Sequence, residues 1–126
     1  MSVSRGEVYW LDFDPVKGSE QAGLRPALII QNDLGNRYGR TTVVAAVTTS
    51  VPDRPYPFMV VVSRAQSGLT FTSVVNCAQI TTVHQSGPES RLRPPRGEAV
   101  VRPIGKLDDA SMLLVDEALR YNLGLE

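Results

Sequence analysis

Short apolar runs alternate along this chain with turn-forming residues, and their spacing predicts a mainly β protein. Residues 8–13 (Val-Tyr-Trp-Leu-Asp-Phe) are β-branched and aromatic and predict a first strand, stopped by Asp14-Pro15. Residues 16–24 have no periodicity and predict a loop. Residues 26–31 are an apolar run suited to a strand covered on both faces, with Pro26 at its first position, where a missing N–H is tolerated. Residues 41–48 and 58–62 predict two further strands, joined through an extended Pro55-Tyr56-Pro57 connection. Residues 72–83 are rich in β-formers. Strict alternation there puts Ser73, Val75, Cys77, Gln79, Thr81 and Val83 on one face, but neither face is cleanly apolar, which predicts a bulge or bend.

Helical periodicity is convincing only near the C-terminus. Asp108 is a good N-cap and Asp109 adds charge to the first turn. Met112, Val115, Leu119 and Leu123 fall on one stripe, and Gly124 ends the element. Residues 32–40 have room for one helical turn, and Ser67-Gly68 predicts a turn. Residues 88–103 hold Arg91, Arg93, Arg96 and Arg102 around Pro94-Pro95 and predict a surface excursion with a short hairpin over 98–101. This arm either faces water or contacts RNA. Short strands with turn signals roughly every ten residues and one terminal helix predict a small antiparallel, partly closed barrel, a single domain over residues 1–126. With no long helix between strands, a parallel βαβ fold is not expected.

Charge changes this picture little. Thirteen basic residues balance thirteen acidic ones, so a nucleic-acid partner would need a local basic patch. The single cysteine, Cys77, excludes an intrachain disulfide and a Cys-based zinc site, and its apolar neighbours predict a small core residue. The N-terminus has no signal-peptide core, and no apolar run approaches the roughly 20 residues of a membrane helix, so a cytoplasmic protein without membrane contact is expected.

Familiar catalytic sets are mostly missing. His84 is the only histidine, which rules out a two-histidine ribonuclease mechanism, and there is neither a Gly-x-Ser-x-Gly elbow nor a phosphate-binding Gly-rich loop. Asp12 and Asp14 would share a strand face, but a third ligand is lacking nearby, and solvated strand-end acids are the plainer reading. No metal or cofactor is expected. What remains is Arg25, held extended by Pro26, together with Thr48 and Thr49 at the end of an apolar strand. A guanidinium matches a phosphate through two parallel N–H···O bonds, and a threonine hydroxyl can add a third. The pair would suit a pentacoordinate phosphorane formed by attack of an RNA 2′-OH. Equally, Arg25 could be a structural partner of an acid such as Glu20.

Two blocks carry a resemblance. Arg5-Gly-Glu-Val-Tyr-Trp-Leu-Asp-Phe-Asp-Pro, followed by Gly18-Ser-Glu-Gln-Ala-Gly-Leu-Arg-Pro-Ala-Leu-Ile-Ile-Gln-Asn-Asp, resembles the MazF/PemK toxins of bacterial type II toxin–antitoxin pairs. The similarity continues through Asn36-Arg37, residues 41–48, Gly68-Leu69, Ser73-Val-Val-Asn, Gln79-Ile80 and Ile104-Gly-Lys-Leu. It implies an SH3-like, partly closed barrel of the CcdB/MazF/PemK type with a C-terminal helix. It implies a homodimer that cuts single-stranded RNA at a short sequence without metal, leaving 2′,3′-cyclic phosphate and 5′-hydroxyl ends and so inhibiting translation. The family's catalytic arginine falls on Arg25 and its threonine on Thr48. RNA contacts would come from Ser19, Glu20, Gln21, Asn32, Thr49, Ser73, Asn76 and Gln79, or these polar groups serve only loop and strand hydrogen bonding. The resemblance further implies a MazE-like antitoxin, whose C-terminal segment occupies the RNA groove, and contact with operator DNA only through that antitoxin. Tyr9, Trp10 and Phe13 are expected in the core or a dimer interface. The chain departs from the family pattern over 89–103. A CcdB-like toxin that binds gyrase, or a catalytically silent operon regulator, are the alternatives.

Overall fold

Ten elements follow one another among the residues described in the computed structural model, 2–13 and 23–126. They are β1 (Glu7–Asp12), β2 (Leu24–Ile29), α1 (Asp33–Tyr38), β3 (Thr41–Thr48), β4 (Met59–Val62), α2 (Arg64–Ser67), β5 (Ser73–His84), β6 (Leu92–Arg93), β7 (Gly105–Lys106) and α3 (Asp109–Leu123). Of the expected site residues, Ser19, Glu20 and Gln21 lie outside the described residues.

Every strand pairing is antiparallel, in the order β4-β5-β3-β2-β1-β6, with β7 also on β1, and the sheet makes the expected half-barrel with its C-terminal helix. β2 begins two residues earlier than its apolar run suggests. Pro26 is therefore third in the strand, where it pairs with Trp10 on β1 but lies beyond the β3 ladder, which covers only Ala27–Ile29. Ala27, Leu28 and Ile29 are all fully buried, because both faces are covered. Leu28 joins Val8, Val47, Val75, Leu107 and Val115 on the α3 side. Ala27 and Ile29 pack with Val3, Tyr9, Leu11, Val44 and Leu92 on the other.

The predicted bulge in β5 decides which of its residues face which core. Ala45 pairs with Ile80, yet Ala46 pairs with Asn76, so Cys77, Ala78 and Gln79 are extra to the ladder. An odd insertion reverses the alternation. Val75 packs on the α3 side while Val83 packs on the opposite side, correcting the single shared face.

The 88–103 segment differs most from its reading. Leu92 and Arg93 pair with Leu11 and Trp10, and Gly105 and Lys106 pair with Val8 and Glu7 on the same edge of β1. The excursion thus leaves and returns to one strand edge, its stem held by buried Leu92, and no hairpin forms over 98–101. Two-residue strands leave no periodicity in sequence, which is why they are invisible there. Two of the arginines are paired within the chain, Arg93 with Asp12 at 3.6 Å and Arg102 with Glu98 at 2.6 Å.

Ser67-Gly68 also exceeds a simple turn. Ser63 and Gln66 form a reciprocal capping box, and Gly68, at φ 74°, closes α2. α2 lies against β7 so closely that a Cβ at Gly105 would collide with the Ser67 carbonyl oxygen. In α3 the caps are as expected, Asp108 accepting from Ser111 N–H at 2.8 Å and Gly124 at φ 68°. Its buried stripe is rotated, however: Ser111, Val115 and Ala118 face inward, Met112 and Leu119 flank them, and Leu123 is exposed. Arg5 ties this helix to the sheet, its guanidinium donating to the Ile30 carbonyl (2.8 Å) and to Asp116 (2.6 Å).

Candidate functional site

Antiparallel pairing brings the start of β2, the end of β3 and the start of β5 to one end of the sheet. The β2–β3 ladder runs Ile29↔Val44, Leu28↔Ala45, Ala27↔Ala46. The ladder stops there, and Arg25 and Thr48 each lie two positions beyond its last pair, at the same end of the sheet. Thr48 is fixed from the other side by its pairing with Val74 on β5. The Ser50 N–H donates to Thr48 Oγ1 at 3.2 Å. That bond occupies an oxygen lone pair and leaves the hydroxyl hydrogen for donation to an anion.

Arg25 and Thr48 line a cavity of about 520 Å³. Thr49 and Ser73 join them, and Trp10, Pro26, Val47, Leu69, Phe71 and Ile104 supply apolar walls. A mainly apolar cleft with a few converging polar groups is the usual form of a small-ligand site. Ser73 is buried and donates its hydroxyl to the Phe71 carbonyl at 3.0 Å, so toward a ligand it can only accept.

Arg25 also lines a second depression, with Phe13, Gln79, Thr81 and the exposed Arg91. The Arg25 guanidinium carbon lies 5.5 Å from the centroid of the Phe13 ring. Arg25 thus lines both an apolar cavity and a smaller one that it shares with Arg91.

The structure brings together Arg25, Thr48, Thr49 and Ser73 in one cavity and places Gln79 across Arg25 in the second. It sets two other candidates apart. Asn32 is the N-cap of α1, its side chain accepting from Gly35 N–H at 2.7 Å. Asn76 accepts from Ala78 N–H at 2.9 Å and braces the β5 bulge. Neither lines the Arg25 cavities. Of the aromatics expected in the core, Tyr9 is buried, but Trp10 lines the first cavity and Phe13 the second. Phe71 has no counterpart among the sequence candidates, although a phenylalanine between Thr70 and Thr72 after a glycine was a visible signal.

Other titratable groups serve elsewhere. Burial pushes the Cys77 thiol up to about 11, which keeps it protonated and unreactive. Burial, together with a hydrogen bond to Glu7 (3.0 Å), raises the Tyr9 phenol above its ordinary value. His84 is exposed beside Arg40 and Glu89, remote in sequence and in cavity from Arg25. Among the described residues no three His, Cys, Asp or Glu side chains cluster as a metal site, and no helix is long and apolar enough to cross a membrane.

The chain as a whole is similar to known proteins. The sequence model of the PemK-like, MazF-like toxins of type II toxin–antitoxin systems matches residues 4–123. The chain is 39% identical over 125 residues to the endoribonuclease EndoA of Bacillus subtilis (strain 168), covering 99% of this chain and 97% of that one. It is 37% identical over 123 residues to the endoribonuclease MazF of Staphylococcus epidermidis, covering 98% and 92%. Its fold matches that of a mycobacterial endoribonuclease solved in complex with its cognate antitoxin, with a TM-score of 0.72, 26% identity, and 99% and 98% of the two chains covered.

Proposed function

The chain belongs to the PemK-like, MazF-like toxins of type II toxin–antitoxin systems, and from that premise we propose that it is a metal-independent, sequence-specific endoribonuclease acting on single-stranded RNA. The observation that carries the reading is that Arg25 and Thr48, from two paired strands, line one mainly apolar cavity.

In this mechanism Arg25 holds the scissile phosphate with its two parallel N–H donors. The 2′-OH of the preceding nucleotide gives up its proton to water and attacks phosphorus, the P–O5′ bond breaks, the leaving 5′-oxygen takes a proton from water, and the products are a 2′,3′-cyclic phosphate and a 5′-hydroxyl. As the phosphorane forms, charge grows on its equatorial oxygens, and a donor already in place stabilises it without reorganisation. Arginine guanidinium groups keep their proton at neutral pH, so this contribution is electrostatic. The Thr48 hydroxyl, aligned by Ser50, donates to a second oxygen. Thr49, Ser73 and Gln79, which line the two cavities, read bases, and the same role is assigned to Ser19, Glu20 and Gln21, which lie outside the described residues. Asn32 and Asn76 act on the site through the structure they brace.

The toxin works as a homodimer in the cytoplasm, cutting messenger RNA and so stopping translation. Exposed Val61 on the edge strand β4, with Leu114 and Tyr121 on α3 lining the same groove, supports self-association. A MazE-like antitoxin inhibits it by laying its C-terminal segment over the Arg25 cavity, and operator DNA is reached only through that antitoxin. The related structure solved with its cognate antitoxin supports such a partner.

The test is cleavage of a defined single-stranded RNA by the purified protein in excess EDTA, with end-group analysis. Cyclic phosphate and 5′-hydroxyl ends are expected. Abolition by EDTA with rescue by magnesium overturns the metal-free mechanism. Absence of cleavage with retained growth arrest and gyrase binding moves the chain to the CcdB mode of action. Absence of cleavage and of toxicity leaves an operon regulator.

A further inference from the structure

We propose that Phe71 is the stacking platform for a nucleobase beside the bond that is cut, and that the apolar cavity next to Arg25 receives that base. This rests on the RNA-cleaving reading and deepens it. Phe71 is 65% exposed on the connection between α2 and β5, and it lines the same cavity as Arg25 and Thr48. An aromatic ring left in water adds little to folding, and its chain neighbours Thr70 and Thr72 are exposed polar residues. The backbone beneath the ring is nonetheless held. Ser73 Oγ donates to the Phe71 carbonyl at 3.0 Å, and Gly68, three residues earlier, is locked as the α2 cap. The fold therefore presents an exposed ring from a restrained support.

The rest of the cavity fits a nucleotide. Trp10, Leu69 and Ile104 give it apolar walls, and Arg25, Thr48 and Thr49 supply one cation and two hydroxyls. A base offers a π-face to the ring while its phosphate meets the guanidinium. Stacking accepts any base, so Phe71 contributes position and affinity while the polar groups choose the sequence.

The experiment compares wild type with Phe71→Ala and Phe71→Trp on a mapped RNA substrate and on versions carrying one abasic nucleotide on either side of the cut. Phe71→Ala is expected to lower kcat/KM by about fivefold to 150-fold, the range of one aromatic–base stack. Phe71→Trp should restore it, thermal melting should not change, and the loss should vanish on the substrate that is abasic at the stacked position. An equal loss on every substrate, no loss at all, or a loss confined to binding of an antitoxin C-terminal peptide overturns the proposal. A second readout separates it from the function on which it rests. Uncleavable 2′-deoxy strands carrying 2-aminopurine at each position in turn should be quenched by the wild type at one position and not by Phe71→Ala. Quenching without cleavage of the ribo strand overturns the nuclease reading alone. Cleavage without Phe71-dependent quenching overturns the stacking alone, and the absence of both overturns both.

Discussion

The guanidinium of Arg25 rests on the ring of Phe13, its central carbon 5.5 Å from the ring centroid. Phe13 directly follows β1 and lies diagonal to Arg25, whose ladder partner is Leu11, and the ring limits where the arginine can swing. A cation over an aromatic face at a partly exposed site gains about 0.5–1 kcal/mol. Phe13→Leu, which keeps apolar bulk and removes the π-face, should lower single-turnover cleavage about twofold to fivefold, and Phe13→Tyr should retain the rate. An unchanged rate in Phe13→Leu would assign the ring to packing alone.

Arg25→Ala and Thr48→Ala should each reduce cleavage by on the order of a hundredfold to a thousandfold, the cost of losing one preorganised donor. Thr48→Ser keeps the hydroxyl and should stay active. Arg25→Lys keeps the charge but loses the parallel N–H pair, and should fall between wild type and alanine. Far-ultraviolet circular dichroism and melting temperature should match wild type, since Thr48 and Arg25 are only partly buried at the sheet's end. Wild-type rates in Arg25→Ala would remove it from the mechanism.

Gln85 is buried and joins three separated segments. Its Oε1 accepts from Val3 N–H at 2.9 Å, and its Nε2 donates to the carbonyls of Asn36 (2.9 Å), Gly39 (3.1 Å) and Thr41 (3.2 Å). Gln85→Leu removes this partner from the buried Val3 N–H and Asn36 carbonyl and from the Gly39 carbonyl, while the Thr41 carbonyl keeps Gln31 Nε2 at 3.0 Å, at roughly 1–3 kcal/mol for each group that water cannot reach. Urea unfolding should report a loss of at least about 2 kcal/mol, with cleavage per folded molecule unchanged. A loss confined to activity would show that the network positions the site and does not hold the fold.

Asp33 gives the stability a dependence on acid. Its carboxylate accepts from the Arg5 backbone N–H at 2.7 Å, chiefly, and from Asn36 Nδ2 at 3.2 Å, and these bonds hold its pKa below the ordinary carboxylate value. A group depressed on folding stabilises above its unfolded value, about 3.9 for aspartate, and that contribution is lost as pH falls through the lower folded value. The melting temperatures of wild type and Asp33→Asn should therefore differ above about pH 4 and converge as the pH approaches 2. Parallel curves down to pH 2 would mean that this carboxylate is not linked to folding.

Much of this protein was written locally. The strand over residues 41–48 and the caps Asp108 and Gly124 follow from side-chain chemistry within a few residues. The presence of a bulge in the long strand could be inferred too, because neither of its faces is apolar. Its position could not, because that depends on which residue of β3 lies opposite, and moving it by one residue exchanges the two faces. The same holds for Leu92 and Gly105, which become strand residues only because the edge of β1 offers them partners. Arg25 and Thr48 were each legible as polar groups at strand ends. That they line one cavity follows from the pairing of β2 with β3, and Phe71 joins them from the α2–β5 connection while Trp10 reaches the cavity from β1. Sequence determined which groups could bind a phosphate, because that is chemistry carried by each residue. Tertiary structure decided which of them meet, because meeting depends on pairings between residues far apart in the chain.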